Sequence, residues 1–277
     1  MASRLLCCAD IGGTNARLQL WDVADSGSET LRCDQRYATA SFASLEPLLR
    51  QFLSDAGFAV PVGEACSASS TSEYAGPIVD TCSVAICMPV EGERRICGPG
   101  GVSWALDVVP DVEEALGKVI RRCALLNDFV AVGLGLHALE PSQIELLTPG
   151  VPVVPRATAL CLGPGTGLGT CFLTWNDAVG GYDAHPGEGG APEFAARTDA
   201  EFAFKQFLES PTAGGTGTGP AGGGDGELVI VENMVSGPGL GAHCLDRTLT
   251  SDCRTGRRHV AVAITADYIY STAAVSY

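Results

Sequence analysis

Apolar and polar positions alternate or cluster along the chain in a way that predicts a succession of short strands and amphipathic helices. Arg4 to Asp10 is an apolar run of strand length, followed by the turn-forming Gly12-Gly13-Thr14-Asn15 and a second run, Ala16 to Trp21. Two such runs around a glycine pair predict a β-hairpin. A third strand is expected near Leu31 to Thr39. Leu45, Leu48, Leu49, Phe52 and Leu53 then recur at helical spacing behind Ser44, an acceptable N-cap. Ser83–Val90 and Cys123–Leu126 read as strands, with a helix from about Asp111 to Leu116 between them. After Asn127-Asp128, the stretch Phe129 to His137 reads as a helix.

The pattern then begins again. Thr158–Leu162 is apolar, Gly163-Pro164-Gly165-Thr166-Gly167 is a turn, and Leu168–Trp175 is apolar once more. Two similar strand–glycine turn–strand units suggest a duplicated α/β core with one copy per domain, although glycine-rich hairpins are common enough for the likeness to be accidental. Residues 209–226 are dominated by Gly, Thr, Ala and Pro, the composition of a flexible surface insertion. A helix is expected over about Glu227–Val235, stopped by Gly237-Pro238-Gly239. Beyond Leu240 only His259–Tyr270 has the look of an apolar element.

Composition narrows the function. With 277 residues, 46% of them hydrophobic, the chain can bury the cores of two domains. A net charge of −15 argues against nucleic acid or an anionic membrane as partner. Lys118 and Lys205 are the only lysines, so phosphate recognition has to rely on backbone N–H groups, metal ions, hydroxyls or arginine. The 12 cysteines include no Cys-x-x-Cys pair, and Cys7, Cys8, Cys82, Cys87, Cys161 and Cys171 sit inside apolar runs. They read as small buried hydrophobes in a reduced compartment. The Leu5–Ala9 stretch is too short for a signal sequence and no apolar run reaches membrane-spanning length, which together predict a cytoplasmic protein.

Several residues carry candidate chemistry. Gly12 and Gly13 lack Cβ atoms, so a phosphate can approach the backbone donors of this turn, with Thr14 and Asn15 adding side-chain donors. Asp10, at a strand end, either caps the turn of an ordinary hairpin or holds Mg²⁺ through a water. The turn at Gly165, Thr166 and Gly167 offers the same phosphate chemistry. A dinucleotide G-x-G-x-x-G fails there because position 168 is Leu and position 170 is Thr, and neither turn ends in the Gly-Lys-Ser/Thr of a P-loop. Asp128 either caps the helix that follows it or acts as a base at a strand's C-terminal end. Glu188 lies among glycines in Pro186-Gly187-Glu188-Gly189-Gly190. Glu232 reads most simply as a solvated helix carboxylate.

Taken together, these segments resemble the bacterial-type glucokinase family of the actin-like ATPase superfamily. Asp10-Ile11-Gly12-Gly13-Thr14-Asn15-Ala16-Arg17 is similar to the family's first phosphate motif, Leu126-Asn127-Asp128-Phe129 to its catalytic segment, and Gly163-x-Gly165-Thr166-Gly167-Leu168-Gly169 to its second phosphate motif. Pro186-Gly187-Glu188-Gly189-Gly190 and Glu232-x-x-x-Ser236-Gly237-Pro238-Gly239-Leu240 resemble its two sugar-binding segments. The resemblance implies two actin-like (ribonuclease H-like) α/β domains with mixed sheets flanking a cleft, here 1–133 and an incomplete 134–277. It implies ATP and Mg²⁺ as cofactors and glucose or a related hexose as substrate, and it leaves a homodimer open. It places Asn127, Asp128, Glu188 and Glu232 around the sugar hydroxyls, with Asp128 as general base for attack by the 6-hydroxyl.

Three departures stand out. Position 191 is Ala where the family has a sugar-binding His, and His185 upstream is a poor substitute. Gly100-Gly101-Val102-Ser103 replaces the family's Asn before Trp104. Nothing in Thr248–Tyr277 resembles the family's closing helices and adenosine segment. These departures predict weak or absent kinase activity for this chain alone, and keep open a kinase for another hexose or a sugar-binding homologue without catalysis.

Overall fold

The structure, a computed structural model, describes residues 3–60, 74–96, 102, 104, 108–145, 154–209, 228–239 and 242. The glycine-rich 210–226, the apolar 259–270 and the tail 248–277 lie outside the described residues. Those described fall into two compact units, one within residues 1–149 and one within 150–265.

The first unit is built on a five-stranded mixed sheet in the order β3-β2-β1-β4-β7. β1 (Ser3–Ile11), β2 (Asn15–Ala24) and β3 (Glu29–Ala38) form an antiparallel meander. β4 (Thr81–Ile86) and β7 (Cys123–Asn127) extend the sheet in parallel with β1. Cys7, Ala9 and Ile11 of β1 share a buried face with Leu18 and Leu20 of β2, Val84 and Ile86 of β4, and Leu125 of β7. Against that face pack α1 (Leu45–Asp55), through Leu45, Leu48, Leu49, Phe52 and Leu53, and α2 (Val108–Leu116). Burying such side chains contributes about 1.5–3 kcal/mol each before entropy is counted. α3 (Asp128–Gly135) packs against β4 and β7 and runs on into a 3₁₀ turn, Leu136–Ala138.

The expected strand Ser83–Val90 breaks in two. β4 stops at Ile86, and Val90–Glu91 (β5) turns through Gly92 and Glu93, both at positive φ, to pair with Arg95–Ile96 (β6). Pro89 explains the break, since it has no N–H to give a ladder. α2 begins three residues earlier than expected because Pro110 is tolerated in a first turn, where no intrahelical donor is needed. Ser44 occupies the N-cap of α1 but makes no side-chain cap bond.

The second unit contains a three-stranded antiparallel sheet, β10-β9-β8. β8 (Ala159–Pro164) and β9 (Leu168–Asn176) form the second glycine hairpin, its turn narrowed to Gly165–Gly167 because Gly163 and Pro164 join the strand. β10 (Gly181–Gly187) and α4 (Asp199–Glu209) were not expected. β10 lacks the alternation that marks a half-buried strand, whereas α4 carries a legible signal, with Phe204, Phe207 and Leu208 at helical spacing behind Asp199 and Glu201. α5 is shorter than expected, Val231–Val235, since Ile230 is drawn into an antiparallel bridge with Glu193.

Candidate active site

The first glycine turn is held from within its own unit. Gly12 N–H donates to the Asn15 carbonyl at 2.9 Å, closing the hairpin. Thr39, only 3% exposed, braces it twice: its hydroxyl donates to the Gly12 carbonyl at 2.8 Å and its N–H to the Thr14 carbonyl at 3.0 Å. Gly13, Thr14 and Asn15 are left exposed. Arg17 makes a two-pronged bond to Asp34 on β3, at 3.0 and 2.7 Å, and Gln19 adds a third at 2.9 Å. These bonds hold the Asp34 carboxyl below its ordinary range, with Arg17 the largest cause.

The parallel register brings the rest of the first unit's candidates to the same sheet edge. Ile11 pairs with Ile86, and Ile86 with Asn127, so the C-terminal ends of β1, β4 and β7 lie side by side. Strand spacing separates the outer two by about 10 Å. Open α/β sheets bind ligands at such an edge. Asn127, not Asp128, caps α3: its side-chain oxygen accepts from the N–H groups of Phe129 at 3.0 Å and Val130 at 3.2 Å. Asp128 is therefore the first helical residue, half-buried, with one oxygen accepting from Phe129 N–H at 2.8 Å. Cys87 reports on this edge. Its N–H donates to the Ile11 carbonyl at 3.2 Å. Its thiol is pushed up by burial first and then by the charges of Asp128 and Asp10, while Gly13 N–H favours the thiolate. Asp10, Gly13 and Asp128 thus face one locality, a feature the sequence did not single out through Cys87 or Thr39.

The second turn is held differently. Gly165 N–H donates to the Gly167 carbonyl, and the Gly165 carbonyl accepts from Gly237 N–H, both at 2.8 Å. The Glu232 carboxylate accepts from Leu168 N–H at 2.8 Å, immediately beyond the turn. A Cβ on Gly167 would fall against that carboxylate, whereas one on Gly165 would meet nothing within 4 Å. Glu232 is therefore not the solvated helix carboxylate that its surroundings in the sequence suggested; it is half-buried and bound to the hairpin. Its own N–H donates to the Gly190 carbonyl at 2.9 Å, which ties the Glu188 loop to the same place. Glu188 itself is exposed, and Ala191 N–H donates to its carbonyl at 3.1 Å. His185 is committed elsewhere, with its ring nitrogen 2.8 Å from the Thr174 hydroxyl on β9. Trp104 donates its ring N–H to the Phe42 carbonyl at 3.0 Å and is buried in the first core.

Among the described residues no three His, Cys, Asp or Glu side chains gather closely enough to hold a metal ion unaided. Among the described residues, a magnesium ion would fit as one that arrives with phosphates and is met by a single carboxylate such as Asp10. No helix among the described residues is long and apolar enough to cross a membrane. The described cysteines form no disulfide, and six of them are buried.

A meander with a glycine turn in each unit, and carboxylates at the sheet edge of the first, agree with the actin-like ATPase fold, which the matching solved structures share. The chain superposes on a glucokinase from an Antarctic psychrotroph with a TM-score of 0.57 at 22% identity, covering 86% of this chain and 62% of that one. It superposes on a Balamuthia mandrillaris glucokinase, solved in complex with glucose, with a TM-score of 0.53 at 17% identity, covering 93% and 65%. In sequence, the glucokinase family model matches residues 7–275. The glucokinase of Nostoc punctiforme is 32% identical over 236 residues, 85% of this chain and 58% of that protein. That of Synechocystis is 28% identical over 239 residues, 83% and 57%. The chain belongs to the glucokinase family, and it spans less than three fifths of the length of these curated relatives.

Proposed function

We propose that this chain carries the machinery for ATP-dependent phosphorylation of glucose to glucose 6-phosphate. The observation that supports it most is the grouping of Asp10, Gly13 and Asp128 where the parallel strands β1, β4 and β7 of the mixed sheet reach their C-terminal ends. In this reading Asp128 accepts the proton of the hexose 6-hydroxyl as that oxygen attacks the terminal phosphoryl group. Asn127, Glu188 and Glu232 accept from or donate to the other hydroxyls. Exposed Gly13, Thr14 and Asn15 of the first turn, and Gly165, Thr166 and Gly167 of the second, supply phosphate ligands; Gly12 shapes the first turn. Asp10 would hold Mg²⁺ through a water, and the ion's contribution when bound is to neutralise phosphate charge. Phosphoryl transfer asks for positioning and charge stabilisation more than for covalent chemistry, which suits a chain with two lysines.

A second reading, a kinase for another hexose, draws on Ala191, whose methyl stands exposed beside the Glu188 turn where relatives of this type are expected to offer an imidazole. Coupled assays with MgATP and a panel of hexoses decide between them. The expected result is weak turnover with glucose that falls by about a further 10²- to 10⁴-fold, to background, in Asp128→Ala. Equal turnover in wild type and variant would remove Asp128 from the chemistry. A chain that glucose stabilises thermally but that turns over no sugar would be a binding homologue.

A further inference from the structure

Glu188 is offered to solvent by a loop almost without side chains, and its own side chain has no hydrogen bond or ion pair among the described residues. Its aim must therefore be set through the backbone. Thr170, on β9 and only 2% exposed, lies under that loop. Its register partner across the sheet is Gly187, the residue before Glu188. Its hydroxyl oxygen accepts from the N–H of Gly189, the residue after, at 3.0 Å. A Cβ on Gly187 would fall 2.9 Å from the Thr170 hydroxyl, and one on Gly189 would fall 2.9 Å from the Thr170 methyl. One side chain thus occupies the space that both flanking glycines leave empty.

We infer that Thr170 is a positioning residue for the hexose site: it pegs the Gly187-Glu188-Gly189 loop to the second glycine hairpin and so fixes where the Glu188 carboxylate meets the sugar. The inference rests on the proposed role of Glu188 in hexose binding. It adds a residue that neither the glycine motifs nor the carboxylates mark. It also explains why the loop needs glycine on both sides of its one functional side chain: any Cβ there would push the backbone off the peg. Thr170 lies two residues beyond Leu168, whose N–H the Glu232 carboxylate holds, so both sugar-facing carboxylates are referenced to the same short length of β9.

The test uses the full chain, isotopically labelled, with glucose titrated and amide exchange followed by NMR. Thr170→Val keeps the shape and removes the acceptor. It should expose the Gly189 amide to exchange and weaken glucose binding about fivefold, the net worth of one lost hydrogen bond that fixes the loop. Thr170→Ser keeps the oxygen and should hold both near wild type. Gly189→Ala should weaken binding by striking the Thr170 methyl, and adding Thr170→Ser, which deletes that methyl, should recover most of the loss. This pair carries the test if Thr170→Val does not fold. Wild-type glucose affinity in Thr170→Val, or no recovery in the double variant, would overturn the inference. A merely structural threonine would lower thermal stability and leave affinity alone. If the wild-type chain binds no glucose, the hexose reading fails on its own account. The Gly189 amide then still decides: exchange that depends on the Thr170 oxygen upholds the peg, and unchanged exchange removes it.

Discussion

The two glycine turns look alike in sequence but are secured by different means. The first is a backbone affair, closed by Gly12 and Asn15 and braced by Thr39 from the end of the neighbouring strand. Its sheet has helices packed on it and a large shared core. The second relies on groups far along the chain, Glu232 and Gly237, and its sheet shows Leu160, Leu162 and Phe172 to solvent, each about half exposed. The lesson is that similar turns need not be independent of the substrate side. In the first, the backbone proposed to face phosphate and the proposed base Asp128 are separate parts. In the second, a carboxylate proposed to meet sugar is already part of the turn's framework.

That contrast can be broken at the second turn. Gly167→Ala drives a methyl into the Glu232 carboxylate and should displace it from Leu168 N–H, costing about 2 kcal/mol of stability in denaturant titration, as expected for a lost bond to a charged group. Gly165→Ala, two residues away, meets nothing and should stay within about 0.5 kcal/mol of wild type. Equal effects from the two would mean that Glu232 does not support the turn. On the first turn, Thr39→Val leaves the Gly12 carbonyl without its hydroxyl donor and should cost about 1 kcal/mol, with Thr39→Ser restoring it.

The smallest effect is on acid stability and belongs to the first unit. Asp34 is held below its ordinary pKa of 3.8, chiefly by Arg17. The unfolded chain therefore takes up this proton first as pH falls. The stabilisation is fully present above the unfolded value and is lost as pH drops through the lower folded one. Arg17→Gln should flatten this part of the stability profile below about pH 4 and leave neutral pH nearly unchanged, as a partly exposed pair requires. A parallel loss across the whole pH range would show that Arg17 serves packing instead.

Strands with clear apolar character and the helices α1 to α3 were legible, because their periodicity records which face is buried. Both glycine turns were legible from their lack of side chains. The strand break at Pro89 was written in the sequence but masked by the apolar residues around it. β10 was hidden because neither of its faces is fully buried, so no alternation betrays it. Of the site, Asn127, Asp128, Glu188 and the glycines stood out as motifs. Thr39, just past the end of β3, and Thr170, within β9, did not, since a threonine that braces a distant segment looks like any other threonine in or beside a strand. Glu232 stood out through its family-like segment, but its local context suggested only a solvated carboxylate: its partner, the Leu168 amide, lies 64 positions away, where local context says nothing about it.

The separation of those partners also bears on the order in which the molecule is made. The first turn receives its brace from a residue only 27 positions away, whereas the second waits for one 64 positions downstream. Closing the longer loop costs roughly 0.8 kcal/mol more in chain entropy. On a ribosome the difference is larger in time than in energy: Thr39 emerges early, and Glu232 follows on the order of tens of seconds later at ordinary elongation rates. Over the last 64 residues of that interval a nascent chain has one finished turn and one still unlatched.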